Sequence, residues 1–259
     1  MGVKITLNRY RDAVLNFALN SYTGININGG RAWLHCLSNS AWTYFYPHPK
    51  RGTEAMDEMG VLPKYEGFLC HDHWKPYYTY KCAHVLCNAH HLRELERAYE
   101  QDKQQWANLI RNLLVEINKA VIKSGGKLPE AEIKSYQKRY RTILTKGEKE
   151  CPLPEKVKGK RGRQKKSKAR NLLDRLRDYE GDTLRFMKIQ MVPFTNNKAE
   201  NDIRMTKVQQ KISGCFRSMD GAKIFCRVRS YLSTARKHET SSLHALRMLF
   251  QGTFINFAE

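Results

Sequence analysis

The chain has 259 residues, enough for one large domain or two small ones around a buried core. Apolar residues at 41% and aromatics at 10% exclude wholesale disorder, and no stretch approaches the roughly 18 uninterrupted apolar residues that span a bilayer. With 46 Lys and Arg against 25 Asp and Glu the net charge is +21, a field that attracts polyanions and makes nucleic acid the leading partner class.

Met1 to Asn20 places Arg9, Arg11 and Asp12 among apolar residues, which does not read as a secretory leader. Seven cysteines, an odd number spread over the chain, fit reduced thiols in a cytoplasm better than a disulfide framework. From Ile25 to His48, the runs Ala32–Leu37 and Trp42–Tyr46 are divided by Ser38-Asn39-Ser40 and predict an antiparallel hairpin. A short helix is expected from Thr53 to Met59. Gly67–Cys70 is a short strand with Asp72 just past its end, and His84–Cys87 is a second strand that leads into a helix capped by Asn88. Strand, connection, strand, helix is an α/β signature.

Leu92, Leu95, Tyr99, Trp106, Ile110, Leu113, Ile117 and Val121 step by threes, fours and one seven, predicting a single long helix that ends at Ser124-Gly125-Gly126. Ile133, Tyr136, Tyr140 and Leu144 predict a second, antiparallel one. Glu155 to Arg170 holds nine Lys or Arg against one acid and reads as a basic linker. A third helix is expected from Ala169 to Met187 with a bend at Gly181. Further helices follow past Asn197, from about Asp220 to Lys237, and from Ser242 to Phe250, with a Ser213-Gly214 turn after the first.

Phosphodiester chemistry calls for carboxylates on rigid elements that hold two divalent ions about 3.5 to 4 Å apart. Asp72, at a strand end, suits that role, and equally suits a turn cap. Glu200 stands among Lys198, Arg204, Lys207 and Lys211, as an acid inside a phosphate-binding face would; its spacing from Asn197 and Arg204 also fits a capping box or a surface ion pair. Gly159-Lys160-Arg161-Gly162-Arg163 is similar to minor-groove hooks, with a solvated linker as the alternative.

Several blocks occur in an order that resembles the transposases of the insertion-sequence-66 family. These are Tyr46–Gly52, His71–Tyr78, Leu86–Leu95, Pro193–Met205, Gln210–Ser218 and Ser230–Lys237, spread between about Thr23 and Phe254. The resemblance implies an α/β fold, a ribonuclease-H-like mixed-sheet core with a helical insertion before the last catalytic acid. On that basis residues 1–22 are a non-matching leader and 23–92 the first part of the core. Residues 93–185 are the insertion, with its basic linker 155–170, and 186–259 the last part of the core with C-terminal helices. It further implies a DDE-type centre that uses Mg²⁺ for strand cleavage and transfer on insertion-sequence ends. Asp72 matches the second acid and Glu200 the third, both as catalytic residues and metal ligands, while Lys160, Arg161, Arg163, Lys198, Arg204, Lys207, Lys211 and Arg217 fall on the DNA-binding side.

In the family an Asp-Glu-Thr-Gly block precedes the segment matching Ile25 to Arg31. Here that place reads Ser21-Tyr22-Thr23-Gly24, with Ser21 in the position of the first acid, and neither Ser21 nor Tyr22 replaces a carboxylate as a Mg²⁺ ligand. The expectation is therefore an N-terminally truncated copy with impaired catalysis. The alternative is a non-catalytic DNA-binding remnant. A bacterial cytoplasmic, nucleoid-associated location, DNA as partner, room for a homo-oligomer and no membrane association complete it.

Overall fold

The computed structural model describes residues 17–154, 164–255 and 257. Its strands are β1 Phe17–Ile27, β2 Gly30–Ser38, β3 Thr43–His48, β4 Phe68–His71 and β5 Ala83–Leu86. Its main helices are α1 Thr53–Glu58, α2 Asn88–Glu100, α3 Gln105–Lys123, α4 Glu130–Glu150, α5 Lys168–Asp178, α6 Asn197–Ser213, α7 Met219–Lys237 and α8 Ser242–Phe250. Two compact units emerge, Met1–His84 with Asn196–Glu259, and Val85–Thr195.

The first unit is built on a mixed α/β sheet ordered β3-β2-β1-β4-β5. Asn28 and Gly29 both have positive φ (46° and 75°), the backbone of a tight two-residue turn, and so fold β1 back on β2 in antiparallel register. The expected hairpin is present as β2 and β3, closed where Asn39 accepts the Ala41 and Trp42 N–H groups on its side-chain oxygen. β1 then pairs in parallel with β4, Leu19 opposite Cys70.

Side chains alternate across this sheet, so it carries two cores. On one face Ala18, Leu37 and Leu69 pack with Met56, Met59, Leu62 and Tyr77 from α1 and the segments after it. On the other, Ile25, Ala32, Leu34, Cys36 and Phe45 meet Ile203 of α6 and Cys226 of α7. α7 also covers the free edge of β3: Ser230 Oγ accepts from the Phe45 N–H at 2.9 Å and Thr234 Oγ1 from the Thr43 N–H at 3.2 Å. An exposed row of strand donors is thereby closed.

In the second unit Trp106, Ile110, Leu113, Leu114 and Ile117 of α3 are buried, as are Ile133, Tyr140 and Leu144 of α4 and Leu172, Leu173 and Leu176 of α5. The single long helix expected from Leu92 to Val121 is two, α2 and α3, broken over 101–104, where Lys103 takes a positive φ of 55°. The break falls inside the one seven-residue step of the apolar stripe. The expected helix from Ala169 to Met187 ends at Asp178, and only short helical turns, Glu180–Thr183 and Arg185–Met187, follow it. Asn88 is not a cap: Cys87 holds that position, while Asn88 donates Nδ2 to the Thr183 carbonyl and pairs through Oδ1 with His91. All seven cysteines are free thiols, and among the described residues no helix is long and apolar enough to cross a membrane.

Candidate active site

β4 is short and buried, with Leu69 packed into the first of the two cores, and Asp72 follows directly at its C-terminal end. The next residue, His73, has a φ of 69°, so the chain turns sharply there. Asp72 Oδ1 accepts from the Trp74 N–H at 3.1 Å, which makes it the cap of that turn. Its other oxygen accepts from the Tyr22 hydroxyl at 3.1 Å.

Tyr22 in turn accepts from Arg51, whose guanidinium lies 4.3 Å from the Tyr22 and Trp74 ring centres and 5.3 Å from that of Trp33. Burial first, and then the Asp72 charge, push the Tyr22 hydroxyl up to about 12, with Arg51 opposing them. At neutral pH the hydroxyl therefore keeps its proton and remains a donor to Asp72. Arg51, held by three aromatic faces, brings a fixed positive charge to this cluster.

The register of β1 on β4 decides what stands beside Asp72. Leu19 is opposite Cys70, the last pair of the ladder, two residues before Ser21 on β1 and two before Asp72 just past the end of β4. Ser21 and Tyr22 point to opposite faces by strand alternation, and it is the Tyr22 hydroxyl that meets the carboxylate.

α6 enters against the same strand. Its N-cap, Asn196, is buried, makes no capping bond with its side chain, and instead donates Nδ2 to the Asn20 carbonyl, next to Ser21. Asn197 is therefore the first helical residue, and the capping box with Glu200 does not form. Glu200 sits half-buried in the first turn. A second anchor follows at Asp202, whose Oδ2 accepts from Ser38 Oγ at 2.6 Å, Thr43 Oγ1 at 3.2 Å and Lys237 Nζ at 3.0 Å. Lys237 also donates to the Asn39 and Trp42 carbonyls, which ties α6 and α7 to the β2–β3 hairpin.

Glu200, Arg204, Lys207 and Lys211 recur at three- and four-residue steps and so share one stripe of α6, with the three cations exposed. Lys198 is exposed but lies off that stripe, and Arg217 is exposed in the turn before α7. Lys160, Arg161 and Arg163 lie outside the described residues. Reading the sequence assigned no role to Tyr22, Arg51, Asn196, Asp202 or Lys237. Their partners lie between 29 and 199 residues away in the chain, which no local spacing reveals.

A search of curated proteins finds no match. Among models of known families, that of the Transposase IS66 family matches residues 23–224, beginning one residue after Tyr22 and taking in both Asp72 and Glu200. On the strength of that match, which runs over most of its length, the chain belongs to the IS66 family of transposases.

Proposed function

We propose that this chain is a DDE-type transposase catalytic chain, acting on DNA at insertion-sequence ends, whose centre is impaired by the loss of its first acid. The sheet order, with β2 antiparallel and β4 parallel to the central β1, is the order of a ribonuclease-H-like core and supports that reading. Residues 93–185 then form the helical insertion that precedes Glu200. The observation that supports the proposal is the parallel pairing of β1 with β4, which ends at Leu19 and Cys70, two residues before Ser21 and Asp72, together with the Asn196 bond that ties the start of α6 to Asn20.

The donor set does not fit the Mg²⁺ pair that the family implies. A serine hydroxyl supplies no negative charge at the first position, Asp72 is already engaged by Tyr22 and Trp74, and Arg51 adds positive charge where cations would have to gather. What the chain retains is a binding surface. Lys198, Arg204, Lys207, Lys211 and Arg217 neutralise phosphates and hold the duplex without reading its sequence. The Tyr22–Asp72–Arg51 arrangement favours, as a second reading, a non-catalytic DNA-binding relative that occupies transposon ends. Either protein works in a bacterial cytoplasm on nucleoid DNA.

Cleavage of duplexes carrying the element's ends, assayed in Mg²⁺ with purified chains, tests the proposal. The natural chain binds and leaves them uncut. The double variant Ser21→Asp, Tyr22→Glu supplies the missing acid, frees Asp72 and raises cleavage about a hundredfold or more, a few kcal/mol of metal-centred stabilisation. Adding Asp72→Ala removes that gain. Robust cleavage by the natural chain that is abolished by Asp72→Ala overturns the impaired reading. Absence of any gain in the double variant overturns the assignment of Ser21.

A further inference from the structure

A second group of potential ligands lies in the first unit, in the segment running from β3 into α1. His48, the last residue of β3, is buried. Glu54 and Glu58, four residues apart, share a face of α1. One ligand atom from each of the three lies within 4.8 Å of the other two, and His48 Nε2 is 3.3 Å from Glu58 Oε2. Donors held about 2.0 to 2.1 Å from a tetrahedral ion are about 3.3 Å apart, so the imidazole and the Glu58 carboxylate already have the separation that such an ion imposes.

The far side of the His48 ring is prepared for either state. Both the N–H and the C=O of Lys50 lie 3.0 Å from Nδ1. Without a metal, Nδ1 accepts from the Lys50 N–H and Nε2 keeps its proton toward Glu58. With one, Nδ1–H donates to the Lys50 carbonyl and the Nε2 lone pair is free, the outer hydrogen bond that orients metal-bound histidines.

A separate observation comes from the adjoining strand. His35 of β2 pairs with Tyr46 and so lies on the same sheet face as His48. It is 1% exposed, has the Lys50 backbone as a neighbour in common with His48, and is close enough to His48 for charge on one ring to disfavour charge on the other. Against the site stands Lys50, whose Nζ donates to Glu54 at 2.7 Å. Both side chains are more than half exposed, so this surface pair is weak and easily given up.

We propose that His48, Glu54 and Glu58 bind a divalent transition-metal ion of the zinc class, with a water in the fourth position. One imidazole and two carboxylates suit such an ion better than Mg²⁺, which favours oxygen ligands and keeps most of its waters. The site is separate from Asp72 and Glu200. Its consequence reaches them, because His48 and Glu54 bracket the loop that carries Arg51 to Tyr22 and Trp74. An ion there braces that loop.

The test is a Zn²⁺ titration of the purified full chain by calorimetry, repeated with Co²⁺ and read by its visible absorption, with thermal melts alongside. One equivalent binds and raises the Tm. Glu58→Gln and Glu54→Gln each weaken binding about tenfold or more and remove the Tm shift. Lys50→Ala strengthens binding by removing the competing cation. Glu54 is exposed and bonded only at the surface, so its variant folds and the test stands even if a His48 variant does not. Equal affinity in the natural chain and both glutamine variants overturns the proposal, as does binding lost in Asp72→Asn or Glu200→Gln.

Discussion

Burial lowers the His35 imidazole from 6.5 to about 4, and the charges of His48 and Arg51 act the same way against the Lys50 backbone. Between those two values the unfolded chain takes up a proton that folded His35 refuses, so stability is complete above pH 6.5 and falls as the pH drops toward 4. A shift of that size is worth roughly 3 kcal/mol once the lower value is passed. His71 adds to the same trend, lowered well below the ordinary histidine value by its burial and by His84 and His73. Denaturant midpoints at pH 7 and pH 4.5 will show the loss, and His35→Phe will flatten the slope between them; an unchanged slope refutes the assignment to His35. None of this was legible in the sequence, where His35 was one more residue of an aromatic hairpin. Asp72 is the opposite case. A polar residue directly after a short apolar run announces a strand end, and both its turn cap and its place at the sheet's edge follow from that position.

At the scale of elements, the clamp of Asp202 and Lys237 holds two helices to one hairpin. Lys237 spends its ammonium on Asp202 and on the Asn39 and Trp42 carbonyls, so Lys237→Met leaves a largely buried carboxylate without its counter-charge and takes a donor from each carbonyl, the Trp42 one keeping the Asn39 N–H. The expected cost is about 2–4 kcal/mol by equilibrium denaturation, with Asp202→Asn milder because the amide still accepts from Ser38 and Thr43. A loss below a few tenths of a kcal/mol shows that the network is incidental. The β2–β3 hairpin could be read from its apolar runs and α4 from its periodicity, because it buries Ile133, Tyr140 and Leu144 on one face; α6, α7 and α8 stand where helices were expected, although α8 buries only Ala245. β1 could not: Asn20, Ser21, Thr23, Gly24 and Asn26 interrupt its apolar alternation, and what holds it is pairing on both sides. The break between α2 and α3 shows in the sequence only as one irregular step, because Tyr99 and Trp106 keep the heptad spacing of a single helix.

Across the whole molecule, the net charge of +21 predicts DNA binding that weakens steeply with salt as phosphates displace condensed counterions. Lys207→Ala and Lys211→Ala each lower the slope of log affinity against log salt by about 1, measured by fluorescence anisotropy on duplexes of unrelated sequence. Binding that is indifferent to salt refutes the nucleic-acid reading altogether. The unit that carries Asp72 and Glu200 is assembled from the two ends of the chain, with a continuous unit between them. During synthesis the ribosome therefore completes Val85–Thr195 while Ile25, Leu34 and Cys36 still wait for Ile203 and Cys226 to emerge. The nascent β1–β2 surface stays greasy and unpartnered for more than a hundred codons, an interval in which a chaperone has a target and a prematurely terminated chain has no way to finish its fold.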